Sequence, residues 1–594
     1  MILPNSYRQP PSEPTHPFEI SVPVQAIFPG HAASEGALAG LLGSMKRDDV
    51  LLQCAYANAL VSGFGPAFSD DQRQASAIQA LCAPLDIARI GTLRPPTGRR
   101  VPNIFFRGQL LELMRQAAQA CDPVPGTGAD FVDPEARSRF LAAALIAGDL
   151  WNRRIYADRL SGEPEIDEAR KRALGAFRKA IDESNSPSHL GICLGRARAL
   201  FGEYLPRELP EFEALFESET GLSYDQYAVA AAALAIYTIA GRTEGCVFNP
   251  KTVGSTTRFE LQIDAFLRLE SQTPGELGHS LRKTFKTQGY RAIRERPILS
   301  LADGRAVVLD AQMFYEKIAV GPLFCAVRRA GKLKRGDDNR VFGAFGDAFE
   351  RYADDALKRM HPKGPKLVDR VWFGSQGKTA KGDAFEVDAH MVEPIGGTLA
   401  AIVIEAKAVF LPEHAILDDP DIFLAELRRR YGKDPGGAGR DKGVAQLARI
   451  IRAILDRAWR GKDCELAKAS AIAPVLLTHD TRMDSPIVCW QLNEDLFKLI
   501  GDIPFGWRVA PLILLTIEDL ENLESSIGRF TLAELVRDYH DASPDRMISF
   551  QRFLIGSKYA ALIKPSGAIM AQANAQMETV AQTLFPKPPA PDAA

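Results

Sequence analysis

Between residues 34 and 241, apolar side chains recur every three to four positions, the spacing that lines one face of an α-helix. SDDQRQASAIQALC with Ser69 as N-cap, FRGQLLELMRQAAQAC, ARSRFLAAALIAGDLW and EIDEARKRALGAFRKAID show it most clearly. In LSYDQYAV, Ser223 and Gln226 have capping-box spacing and open a further helix. The most apolar run, YAVAAAALAIYTIA from Tyr227 to Ala240, is shorter than the ~20 residues a bilayer requires, and predicts a buried helix. No repeat of fixed period stands out, so a helical scaffold, not a solenoid, is expected.

The period then changes. RPILSLADGRAVVLDAQMFYEKIAVGPLF reads as a hairpin turning at Asp303-Gly304, followed by a short helix from Ala311, a unit expected to dock the two halves together. Arg328 to Arg340, RRAGKLKRGDDNR, reads as a linker or mobile basic loop. Farther on, Phe385, Val387, Ala389 and Met391 alternate with Glu386, Asp388 and His390. A Gly396-Gly397 turn leads into the nearly continuous apolar run Thr398 to Phe410. APVLLTHD (Ala473 to Asp480) and RVAPLILLTIEDLENL add strands, the second ending in a helix. The pattern predicts an α+β multidomain chain. Its parts are a Pro-rich extended stretch (1–33), a mainly α-helical domain (34–296), a hairpin-plus-helix connector (297–327), an α/β domain with a mixed central sheet (328–585) and a polar tail (586–594).

Within the apolar run Thr398 to Phe410, Glu405 and Lys407 are the exceptions. Strand side chains alternate, so both point to one face, and burying either charge costs several kcal/mol unless it is paired or metal-bound. If the two strands form a hairpin, Asp388 comes within a few ångströms of Glu405. Two carboxylates and an ammonium around one point form a hard-oxygen site suited to Mg²⁺, with Mn²⁺ able to substitute. The plain alternative is a cross-strand ion pair on a solvated face, which the apolar residues on either side of the pair disfavour.

At these residues the chain resembles the PD-(D/E)xK nuclease superfamily, whose motif is an Asp on one strand and Glu/Asp-x-Lys on the next. Here these are Asp388 and Glu405-Ala406-Lys407; Val387 stands where the name-giving Pro would be. The resemblance covers roughly residues 340–480. It implies a restriction-endonuclease-like fold, a further acid on the preceding helix (Glu350) and a Gln facing the site from a later helix (Gln446). The alternative for Glu350 is an i,i+4 surface charge beside Asp354; His390 is a candidate residue behind the site, or with Glu386 part of an ordinary wet strand surface. The resemblance also implies catalysis by Asp388, Glu405, Lys407, Glu350 and Gln446, with Asp388 and Glu405 holding Mg²⁺ for hydrolysis of DNA phosphodiester bonds; RNA stays open. By analogy of architecture, a large helical domain beside such a nuclease resembles a prokaryotic anti-phage defence or restriction effector. A repair or recombination nuclease, or a catalytically idle nucleic-acid-binding or assembly subunit, are the alternatives.

Composition is that of an ordinary globular chain: 594 residues, 46% hydrophobic, 25% charged, formal net charge −2. Nothing global marks a nucleic-acid binder, so local charge has to. From Arg328 to Asp383 there are fourteen Lys/Arg against eight Asp/Glu, a net +6 beside the candidate site. Lys378, Lys381, Arg428, Arg429, Arg430, Arg440 and Lys442 are the expected phosphate contacts, those from Arg428 onward on a charged, Gly-rich loop. The basic helix SLRKTFKTQGYRAIRER reads as a solvated face. WFGSQGKT ends like a phosphate-binding P-loop, but Trp372 replaces the first required Gly, so a basic loop near the phosphate is expected. Eight cysteines without CxxC spacing suggest reduced thiols. With no basic-then-apolar leader and no membrane span, a cytoplasmic protein is expected. A partner protein or homo-oligomer stays open.

Overall fold

The computed structural model describes residues 22–62, 70–93, 101–121, 133–156, 190–240, 246–251, 259–360, 371–378, 384–395, 398–412, 420–432, 442–458, 466–526, 529–543 and 548–584. The chain is mixed α+β, with helices dominating its first half and the larger sheet in its second. The Ser69 cap and the Gly396-Gly397 turn lie outside the described residues.

Helices between residues 24 and 147 pack around one apolar core, which also takes in Leu277, Leu281, Ile293, Val307 and Met313. Helix α1 (Leu190–Ala199) continues through a π-helical turn, Leu200–Tyr204, into Leu205–Glu208. Pro206 supplies a reason for the wide turn: it lacks an N–H, and its ring would strike a carbonyl one α-turn back. Helix α2 (Tyr224–Ala240) starts with the anticipated box, Ser223 and Gln226 each accepting the other's backbone N–H. Its described residues are largely buried, and among the described residues no helix is long and apolar enough to cross a membrane.

A small sheet forms next, in the order β1-β4-β3-β2. Its strands are β1 (Val247–Phe248), β2 (Ser271–Gln272), β3 (Ile298–Ser300) and β4 (Ala306–Val308). The hairpin β3–β4 turns at Gly304, φ +84°, as expected from Asp-Gly. It does not stand apart as a connector, because β1 and β2 come from the helical region and complete the sheet. Helix α3 is long, not short: it runs from Ala311 to Leu333, straight through the anticipated boundary at residue 327. Asp310 caps it by accepting the Met313 N–H at 2.8 Å, and also binds Arg107 and Asn58 of the first core.

Helix α4 (Asp337–Met360) follows after a short turn. The segment 328–340 is therefore mostly helical, and not a basic loop. Arg328 and Lys332 pair with Glu219, and Arg340 with Glu211, so these charges are neutralised by the helical half.

The large sheet has the order β10-β8-β7-β6-β5, with β9 beside β8. Its strands are β5 (Val371–Lys378), β6 (Ala384–Ile395), β7 (Thr398–Lys407), β8 (Ala471–Thr478), β9 (Arg508–Val509) and β10 (Ile513–Thr516). It is mixed: β5, β6 and β7 are antiparallel, whereas β8 runs parallel to β7, β9 and β10. Helix α5 (Pro420–Tyr431), helix α6 (Val444–Leu455) and helix α7 (Pro486–Ile500) cover one face through Val403, Leu476, Ile451 and Leu492. The other face, with Ile402, Ile404 and Val475, packs on α4 and on helix α8 (Ile517–Leu523), in one continuous core that extends to α1 and α2. Residues 190–267 of the helical half thus share a core with the large sheet.

Candidate active site

Strand β7 is central, so Glu405 and Lys407 emerge from an apolar ladder, and Glu405 is 0% exposed. The anticipated hairpin forms, with β6 and β7 paired from Ile395↔Thr398 to Ala389↔Ile404. There the ladder gives way: the Asp388 carboxylate accepts the Ala406 N–H at 2.8 Å. On the other side of β6, Phe373↔Ala389 and Ser375↔Val387 flank Gly374, whose φ of +59° favours glycine. Side-chain alternation changes phase at the same point, since Phe385 and Val387 enter the core under α6 while Ala389 and Met391 enter the core under α4. Asp388 sits at a bulge that opens the sheet between β6 and β7.

Four anticipated residues meet at that opening. The Lys407 ammonium lies 2.7 Å from Glu405 Oε1, 3.7 Å from Glu350 Oε1 and 3.8 Å from Asp388 Oδ2. Burial pushes the Glu405 carboxyl up to about 8 against the pull of Lys407, with Asp388 adding to the rise. Glu350 rises to about 7 through burial and the Asp388 charge; its side chain is 39% exposed, so water tempers the effect. Burial also raises Asp388, opposed by Lys407 and the Ala406 N–H. For Lys407, burial works against the charge, but Glu405, Asp388 and Glu350 outweigh it and hold the ammonium above its ordinary range.

A fifth group belongs here. Asp354 rises to about 7, mainly through burial, with Lys358 pulling it down and Asp388 pushing it up. Along α4, Glu350 reaches Lys407 of β7, Asp354 feels Asp388 of β6, and Lys358 lies 4.9 Å from the Phe373 ring centre on β5. These residues are four apart and form one stripe crossing three strands. Asp354 is not among the residues expected at the site. The signal was its one-turn spacing from Glu350.

His479, just beyond β8, was also missed. Its N–H donates to the Lys407 carbonyl at 3.2 Å, fixing the end of β7. Phe345, Phe349 and Phe410 enclose its ring edge-on, and burial lowers its pKa to about 3, so it is neutral. His390 is wholly buried and stacks on Trp372 at 5.2 Å.

Gln446 is placed differently from expectation, its Oε1 accepting the Gly443 N–H at the start of its own helix. Arg428, Arg429 and Arg430 are the last turn of α5 and not a loop; Arg428 pairs with Asp495, the other two with Glu426. Lys442 is exposed just before α6. Lys378 ends β5, so WFGSQGK is a strand and not a phosphate-binding loop; its side chain, like Lys381 and Arg440, lies outside what is described. The described cysteines are free and buried, as anticipated.

Among the described residues, no three His, Cys, Asp or Glu side chains form a group able to hold a metal ion. The Lys407 ammonium lies among the carboxylates instead. The donor set still suits Mg²⁺, which keeps several waters and is commonly bound by only one or two carboxylates plus substrate phosphates. Both Glu405 carboxylate oxygens are buried and accept no well-formed hydrogen bond, and three carboxylates surround one ammonium. Such a site has unmet demand for positive charge. No protein-family model, curated protein or solved structure matches the chain.

Proposed function

We propose that the chain is a metal-dependent nuclease of the PD-(D/E)xK kind that hydrolyses phosphodiester bonds of DNA. The observation that carries this reading is the convergence of Asp388, Glu405, Lys407 and Glu350 where the central sheet opens. A structural ion pair needs one carboxylate per ammonium. Here Lys407 has three, one of them wholly buried, where excess negative charge is costly.

Asp388 and Glu405 would hold Mg²⁺. When bound, the ion polarises the phosphoryl oxygens and makes a coordinated water more acidic. Lys407 stays protonated throughout the working range, so it donates: it can hold the attacking water or a phosphate oxygen and offset the negative charge that builds in the transition state. It cannot serve as the base. Glu350, with a pKa near neutrality and partial exposure, is the better acceptor for the water's proton. Within this reading an anti-phage or restriction role follows only from the large helical partner region, by architectural analogy.

The test is purified full-length protein with supercoiled plasmid, linear duplex, single strands and RNA, in Mg²⁺ or EDTA. Cleavage in Mg²⁺ that EDTA and Asp388→Ala both abolish is the expected result. Absence of cleavage of any substrate, with no metal binding by calorimetry, overturns the reading.

A further inference from the structure

Helix α4 presents Glu350 and Asp354 on one side and is gripped on another by the helical half. Tyr352 lies two residues from each, about 200° around the helix. It is buried, and its hydroxyl donates to Glu521 Oε1 of α8 at 2.5 Å. Arg196 of α1 meets the same carboxylate, with Nε 2.9 Å from Oε1 and Nη2 2.5 Å from Oε2, and lies 3.6 Å from Glu518. Arg196, Glu521 and Tyr352 are all buried. One guanidinium from the helical half is thereby tied, through one carboxylate, to the helix that carries two site acids.

The π-helical turn after α1 adds a second grip on α4. Its Phe201 stacks on Phe345 at 6.1 Å, and its Tyr204 meets Tyr352 edge-on at 5.5 Å. Tyr204 also donates to Asp355 at 2.8 Å, and Glu208 pairs with Arg351 at 2.7 Å. Such π-turns are uncommon and recur at functional positions.

Resting on the nuclease reading of the carboxylate cluster, we propose that Arg196 and Tyr352 are positioning residues: through Glu521 they hold α4 so that Glu350 and Asp354 face Lys407 and Asp388. The helical half then sets the competence of the site, and any binding event that moves α1 reaches the acids through one hydrogen-bonded carboxylate. Buried networks of this kind have discrete arrangements, which suits them to a two-state element.

The test uses the full-length chain. Tyr352→Phe removes one hydroxyl and leaves Arg196 on Glu521. The double variant Arg196→Met, Glu521→Gln removes both buried charges together, avoiding the uncompensated carboxylate that a single change would leave. Three quantities are read: Tm, Mn²⁺ affinity by calorimetry, and carboxyl-selective labelling of Glu350 and Asp354 at one pH by mass spectrometry, with exposed Glu386 as control. Positioning predicts Mn²⁺ binding weakened about three- to thirty-fold. It also predicts labelling altered at Glu350 and Asp354 but not at Glu386, in Tyr352→Phe even where Tm holds. Wild-type labelling and affinity, whether or not Tm falls, overturn the proposal and leave the network purely structural. If the wild type neither binds Mn²⁺ nor cuts nucleic acid, the nuclease reading fails; labelling then decides alone, an altered pattern upholding the positioning and an unaltered one refuting it. If the double variant does not fold, Tyr352→Phe decides.

Discussion

Glu405→Gln isolates the electrostatic demand of the site. The Glu405 carboxyl is fully buried, with a folded pKa of about 8 against an ordinary value of 4.5. A raised folded pKa stabilises the protein fully below about pH 4.5, and that stabilisation is lost as pH climbs toward 8. Across this window the folded chain holds a proton that the unfolded chain has released, so stability falls by about 1.4 kcal/mol per pH unit, on the order of 5 kcal/mol in all. Lys407 and Asp388 titrate against the same group, which makes that total an upper bound. The assay is urea unfolding from pH 5 to 8.5, in EDTA and in Mg²⁺. Wild type in EDTA should lose stability steadily with rising pH; Mg²⁺ should flatten the decline by supplying the missing positive charge. Glu405→Gln should make the decline shallower by Glu405's share, leaving the part that Glu350 and Asp354 contribute, and should remove most of the response to Mg²⁺. A wild-type profile flat in EDTA, or an equal slope in the variant, refutes the reasoning.

Replacing Lys407 by Met should leave a folded protein that still gains stability from Mg²⁺ but cuts DNA on the order of 10²–10³ more slowly; plasmid nicking at the wild-type rate would show that the ammonium is structural. Asp354→Asn should lower the cleavage rate and weaken Mn²⁺ binding while leaving the far-ultraviolet spectrum unchanged, and wild-type kinetics would return Asp354 to the helix surface. Gly374→Ala places a side chain at φ +59° and should cost ~1 kcal/mol in urea unfolding, together with a loss of metal affinity as the bulge facing Asp388 straightens. Reversing Arg428, Arg429 and Arg430 to Glu should leave the log–log salt slope of DNA binding within about one unit of wild type, because all three are already paired with acids; a fall of about three units would put them on phosphates.

The parts legible in the sequence were those set by local chemistry. Asp-Gly fixed the turn between β3 and β4, the Ser223–Gln226 box fixed the start of α2, and two charges in an otherwise apolar strand marked Glu405 and Lys407. Errors arose where a charge's partner is remote in the chain. The residues from Arg328 to Arg340 read as a loop because Lys, Arg, Gly and Asp crowd it, yet Glu211 and Glu219 neutralise several of its cations and the backbone stays largely helical. The same holds for Arg428, whose partner Asp495 lies 67 residues on. WFGSQGK looks like a loop because of its two glycines, whereas pairing with β6 makes it a strand. Gln446 was assigned by analogy to the site, and the closer claim of its own helix N-terminus won. Asp354 could have been found: a second acid one turn beyond Glu350 follows from the helical period alone.

The opening between β6 and β7 explains why this site could not sit elsewhere in the sheet. In an unbroken antiparallel ladder, Asp388 and Glu405 would face each other on one side of the sheet, out of reach of a helix on the other. Lys407 would then neutralise both, and α4 would contribute nothing. The phase change at Asp388, matched by Gly374 on the neighbouring strand, removes one rung and gives the freed Ala406 N–H to a carboxylate instead of a carbonyl. At that gap, groups from both sides of the sheet can meet: Glu405 and Lys407 from β7, and Glu350 from the helix packed on the opposite face, with Asp354 near enough to feel the Asp388 charge. A purely structural ion pair gains nothing from such a gap, because breaking the ladder and gathering three carboxylates, one of them wholly buried, around one ammonium both destabilise the fold. The cost becomes intelligible if the excess negative charge is there to be met by something absent from the chain itself, which is what a divalent ion and a phosphodiester arriving together would supply.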